Sequence, residues 1–123
     1  MLFLEEGDLV TDSIVWLGRL ATTVQHLAAD PDTQQAYLQT LGTPDSPDEL
    51  ALEFDDLYRP LVSRMDELDV PPSVAEKLAQ LDSLLREMSG PEHSELWTRA
   101  ALRTAEAWSV VRATASDVIV GLT

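Results

Sequence analysis

With 123 residues, 13.6 kDa and 45 % apolar side chains, the chain can bury a real core and is too apolar for wholesale disorder. It has no cysteine, which excludes a disulfide scaffold, thiolate metal sites and a cysteine nucleophile. Twenty-two carboxylates against eight Lys and Arg give a formal charge of −14, a field that repels nucleic-acid phosphates and anionic membrane surfaces.

No apolar run approaches the ~18 residues of a membrane span. Met1-Leu2-Phe3-Leu4 meets Glu5 and Glu6 at once, without the basic start or apolar length of a signal peptide, so a cytoplasmic location is expected. Along the chain, apolar residues recur at intervals of three and four. That spacing stacks side chains on one helical face and cannot keep a strand's face buried. Val10, Ile14, Leu17, Ala21, Val24 and Ala28 predict a first helix over 9–29. The same helix carries a second row, Trp16, Leu20 and Leu27 with Thr23 between, leaving Asp12, Arg19, Thr22 and His26 on its polar arc. A helix apolar most of the way round is central in its domain. The other reading makes the Trp16 row a surface for a partner or a second copy, anchored by the aromatic ring.

Asp30-Pro31 starts a second helix over 31–41, which Gly42 ends. Ser46-Pro47-Asp48-Glu49 fits a capping box for a third over 47–68, its inner face Leu50, Phe54, Leu57, Leu61, Met65 and Leu68. Pro60 removes a backbone donor and crowds the carbonyl four residues earlier, so this helix should kink or divide near Tyr58. Pro71-Pro72-Ser73 opens a fourth over 72–89, with Val74, Leu78, Leu81, Leu85 and Met88 inward. After Gly90-Pro91 a last helix, 92–120, carries Trp97, Ala101, Thr104, Trp108, Val111, Ala115 and Val118. The connections are short. The expected fold is all-α, a single compact bundle of four to five helices over 1–123. Ile14, Leu17, Val24, Trp97 and Trp108 are expected in its core.

The charge is uneven. Residues 1–44 carry net −5, residues 45–69 net −7 and residues 70–123 net −2. On a helical wheel Glu49, Glu53, Asp56 and Glu67 share the face opposite Phe54 and Leu61. Like charges at i,i+4 each cost an isolated helix ~0.2–0.5 kcal/mol, so stability does not call for them. Such a face either keeps the protein soluble or docks a basic partner, steering its approach. On the last helix Glu95, Arg99, Arg103, Glu106 and Asp117 form an outward ladder of mixed sign. Arg112 flanks Trp108, suited to stacking on the indole or to an ion pair with an acid of another helix.

Catalytic parts are thin. His26 sits on a polar arc, and His93 in Glu92-His93-Ser94-Glu95 marks a helix start with acids near its positive end. GxSxG, HExxH and glycine-rich phosphate loops are absent. Glu53-x-x-Asp56 and Glu92-x-x-Glu95 resemble, in reversed order, the paired carboxylates with which small all-helical nucleotide pyrophosphohydrolases bind magnesium. The resemblance covers two tetrapeptides and implies a magnesium-dependent enzyme as one alternative.

The preferred expectation is non-enzymatic, with no catalytic, metal or cofactor residues and no direct contact with nucleic acid or membrane. It is an acidic interaction module that binds, and inhibits or regulates, a basic protein, in the manner of an immunity protein, an antitoxin or a nucleic-acid mimic. Glu49, Glu53, Asp55 and Asp56 would steer the partner, and Trp16, Leu20 and Leu27 would lock it. A structural protein that self-associates as a homodimer through the Trp16 row is the remaining alternative.

Overall fold

The computed structural model describes residues 2–65, 67–68 and 70–122, with side chains from Val15 onward. Among the described residues all regular structure is helical: α1 (Leu2–Ala28), α2 (Pro31–Thr40), α3 (Asp48–Leu61), α4 (Pro72–Glu87), α5 (Arg99–Thr104) and α6 (Glu106–Leu122). One 3-10 turn, Val62–Arg64, follows α3, and a 3-10 segment, Pro91–Leu96, precedes α5. The fold is all-α.

Local chemistry explains most boundaries. Asp30 caps α2, its Oδ1 accepting from the Thr33 amide at 2.8 Å, with Pro31 in the first turn. The Thr33 amide, followed by the Thr33 hydroxyl, holds the Asp30 carboxyl below its ordinary pKa. The expected capping box at Ser46 does not form. Pro47 is already helical at φ −58°, ψ −20°, and the Glu49 amide donates to the Ser46 backbone carbonyl rather than to its hydroxyl. Regular α-helix continues through Pro60 but ends one residue later at Leu61, short of the expected 68.

The last expected helix is three pieces. Thr98 caps α5 by accepting from the Ala101 amide at 3.0 Å, and Ala105 is extended at φ −75°, ψ 132° before α6 begins. Two tryptophans fasten this region. The Trp108 indole N–H, fully buried, donates to the Leu96 carbonyl, and that of Trp97 donates to the Met88 carbonyl, each at 2.7 Å. A continuous helix would have consumed the Leu96 carbonyl internally. The rings meet edge to face with centroids 5.3 Å apart, a pairing worth about 0.5–1.5 kcal/mol beyond burial. The outward ladder therefore never assembles. Arg99 pairs instead with Asp45 at 3.0 Å, Arg103 with Asp32 and Lys77 with Asp117 at 3.7 Å.

The core draws on every long helix. α1 packs on α3 and α6, and α6 also packs on α4. Leu50, Phe54, Tyr58 and Leu61 of α3 meet Val74, Leu78, Leu81 and Leu85 of α4 and Trp108, Val111, Ala115 and Val118 of α6. On α1 the buried residues are Leu20, Val24 and Leu27, with Leu17 half-buried against them. The side chains of Val10 and Ile14 lie outside the described residues. Leu20 and Leu27, 1 % and 0 % exposed, are thus core rather than partner surface. Lying between two helices, α1 buries a face wide enough to take both of its apolar rows. Of the Trp16 row only Trp16 itself remains accessible, at 37 %, beside Val15 at 48 %.

Arg112 takes neither expected role. Its Nη1 donates to the Gln34 side-chain oxygen at 3.1 Å and to the Leu102 carbonyl at 2.9 Å. Burial pushes the Arg112 pKa down, which the charge of Asp30 partly offsets.

Candidate functional site

Sorting the acids by what they touch separates structure from surface. All eight Lys and Arg are described, and six of them ion-pair with carboxylates. Within residues 45–69, Asp45 is taken by Arg99, Asp55 by Arg59 at 2.8 Å and Glu67 by Arg64 at 3.4 Å. Asp55 is therefore not a free steering charge. Asp66 and Asp69 lie outside the described residues. Asp48, Glu49, Glu53 and Asp56 remain, with no Lys or Arg within ion-pair distance among the described residues. Glu49, Glu53 and Asp56 follow i, i+4, i+7 spacing and so share one side of α3.

That side borders an open groove of about 400 Å³, where α1, α2 and α3 meet. Arg19, Thr22, Thr23 and His26 come from α1, Tyr37 from α2, and Glu53, Asp56 and Leu57 from α3. The Tyr37 hydroxyl donates to the Glu53 carboxylate, 2.7 and 2.8 Å from its two oxygens. The Tyr37 ring stacks on His26 with centroids 3.9 Å apart, and His26 Nδ1 stands 3.9 Å from Glu53 Oε2. Burial, the hydrogen bond to Glu53 and the charges of Glu53 and Glu49 push the Tyr37 phenol up to about 12. Tyr37 is therefore a fixed donor at neutral pH that orients the Glu53 carboxylate.

Two polar atoms in this groove lack partners. Thr23 is only 3 % exposed, yet its Oγ1 makes no hydrogen bond among the described residues, and neither does His26 Nδ1. Buried polar groups are nearly always satisfied, so each of these atoms carries an uncompensated desolvation cost. Arg19, the one cation lining the groove, has its guanidinium carbon 5.7 Å from the Trp16 ring centroid rather than within ion-pair range of Glu53 or Asp56.

Comparisons with family models, with curated proteins and with solved structures find no match. The site must be read from its own geometry.

The two carboxylate pairs at i,i+3 spacing are not brought together. Glu53 and Asp56 line the α1–α2–α3 groove, while Glu92 and Glu95 belong to the 3-10 segment, whose Ser94 lines a different groove with Asp48, Ala51 and Leu52. Among the described residues no three His, Asp or Glu side chains gather as metal ligands would. His93 lies 3.9 Å from Glu92 on that segment. No sequence pattern marks Tyr37, Thr23 or His26 as site residues. The only hint was His26, a titratable residue on the polar arc, and nothing linear connects it to Tyr37 or Glu53.

Proposed function

We propose that this protein is an acidic, non-catalytic interaction module that binds a basic protein and thereby inhibits or regulates it, in the manner of an immunity or antitoxin protein. The supporting observation is selective pairing. The chain matches five of its seven arginines to Asp32, Asp45, Asp55, Asp82 and Glu67, and leaves Glu49, Glu53 and Asp56 without such partners among the described residues along one side of α3. Solubility alone does not require a cluster of one sign, and the −14 chain gains nothing in stability from it. A basic partner does gain, since complementary charge speeds encounter and fixes orientation.

In this mechanism Glu49, Glu53 and Asp56 steer the partner to α3. Trp16, exposed on the neighbouring α1 and carrying Arg19 near its ring, supplies the aromatic contact. The test is capture from a lysate of the source organism at about 50 mM and about 500 mM salt, using the parent and a Glu49→Gln/Glu53→Gln/Asp56→Asn variant. A basic partner that is lost at high salt and lost with the variant supports the reading. A neutral or acidic partner retained under both conditions removes it.

A further inference from the structure

The side of α3 next to the Glu49–Glu53–Asp56 row shows how this protein accommodates a guanidinium. There Arg59 Nη2 bridges Asp55 at 2.8 Å and Asp82 at 2.7 Å, and its guanidinium carbon lies 5.5 Å from the Tyr58 ring centroid. Those carboxylates, Asp55 first, hold the Arg59 pKa above its ordinary value. The α1–α2–α3 groove repeats the ingredients: two carboxylates, Glu53 and Asp56, beside a tyrosine, Tyr37. Here no arginine of the chain sits between them. Beneath the groove lie two further polar atoms without hydrogen bonds among the described residues, Thr23 Oγ1 and His26 Nδ1.

We propose that this groove is an arginine subsite, receiving one guanidinium side chain of the basic partner between Glu53 and Asp56. The inference rests on the reading of the chain as a binder of a basic protein and names the residue type that docks. A guanidinium offers five N–H donors in a planar fork, so it can engage two carboxylates and still reach a hydroxyl. A lysine ammonium is a compact point charge with three donors and matches two separated acceptors less well. Tyr37 holds the Glu53 carboxylate in place before binding, which reduces the ordering cost. The Thr23 hydroxyl, buried beneath the groove and without a hydrogen bond among the described residues, accepts one N–H once the guanidinium displaces the side chains that cover it. Arg19, which lines the same groove, opposes the incoming charge.

The experiment is an NMR titration of the protein with acetyl-Gly-Arg-Gly-amide, with the lysine and citrulline peptides as comparators. The arginine peptide should shift the ring resonances of Tyr37 and His26 saturably. The lysine peptide should bind at least threefold more weakly, and the neutral citrulline peptide should leave the rings unmoved. Glu53→Gln and Asp56→Asn should each weaken arginine binding at least fivefold, while Arg19→Gln should tighten it. Asp56 is exposed, so its variant keeps the fold. Saturable shifts confined to other acidic residues, such as Asp48 or Glu92, would overturn the subsite while leaving salt-sensitive capture of a basic protein intact. Equal affinity for lysine, or unmoved rings with the arginine peptide, also overturns it. Loss of salt-sensitive capture, measured separately, would overturn the broader function.

Discussion

Arg112 of α6 reaches Gln34 of α2, 78 positions away, and together they close the end of α1. The Gln34 amide nitrogen donates to the His26 and Leu27 carbonyls, each at 3.1 Å, while its oxygen accepts from Arg112 Nη1 at 3.1 Å. The last carbonyls of a helix have no partner within it, so a side chain from elsewhere must satisfy them when they are buried. Gln34 is 1 % exposed and does this for α1. Gln34→Leu keeps the volume but strands two carbonyls and one guanidinium hydrogen. It should cost about 2–3 kcal/mol in urea denaturation. Because the two residues share one network, Arg112→Met should add less to Gln34→Leu than it costs alone.

Thr23 predicts the opposite sign. Its hydroxyl is buried without a partner, and Val has the same shape without the hydroxyl. Thr23→Val should therefore stabilise the free protein by about 1 kcal/mol. The same substitution should weaken the arginine peptide. A gain in melting temperature joined to a loss of binding would separate a ligand role from a packing role, since packing alone ties the two in the same direction.

Tyr37 makes a prediction at alkaline pH. Its folded pKa is raised to about 12 from the ordinary 10. Between those values the unfolded chain loses the proton and the folded chain keeps it. The stabilisation is thus fully present below pH 10 and falls as pH rises towards 12. Tyr58 shifts in the same direction, by burial first and the charge of Asp82 next. Absorbance titration should show tyrosinate forming late in the folded protein and near pH 10 in denaturant. Tyr37→Phe should remove the latest component and flatten the loss of stability over that range.

Two glycines of the long helices should respond oppositely to alanine. A Cβ at Gly18 meets nothing within 4 Å, so Gly18→Ala should stabilise α1 by about 0.5–1 kcal/mol through backbone entropy. A Cβ at Gly121 would lie 2.6 Å from Val74 Cγ2, where α6 approaches the start of α4. Gly121→Ala should cost about 1–3 kcal/mol as the two helices are pushed apart. Thermal melts of both variants check the pair.

Much of the architecture was legible from pattern. The stripe Val74, Leu78, Leu81, Leu85 and Met88 is buried throughout, and Asp30-Pro31 opens α2 as its residue types require. These features depend on local spacing and on caps, which linear sequence records directly. The interruption between Trp97 and Trp108 was not legible. Neither Gly nor Pro marks it, and its advantage lies in the Trp108 indole N–H finding the Leu96 carbonyl outside a regular helix. The candidate site is legible in part: wheel geometry places Glu49, Glu53, Asp56 and Glu67 on one face, but of these Glu67 pairs with Arg64, and Asp55, also expected to steer, pairs with Arg59.

Local chemistry, then, determined that this chain is helical, acidic and amphipathic, because hydrogen bonding within a helix and the 3.6-residue period are properties of neighbouring residues. Beyond the local pairs Arg59–Asp55, Arg64–Glu67 and Arg86–Asp82, which carboxylates stay uncompensated was decided in three dimensions. Arg99 and Arg103 reach across to Asp45 and Asp32, Tyr37 turns to Glu53, and α1 sinks Leu20 and Leu27 into the core while leaving Trp16 accessible. A charge is neutralised by whatever lies within a few ångströms of it; for Asp55 and Glu67 that neighbour stands three or four positions along the chain, but for Asp32, Asp45 and Asp117 it is chosen by how the helices pack.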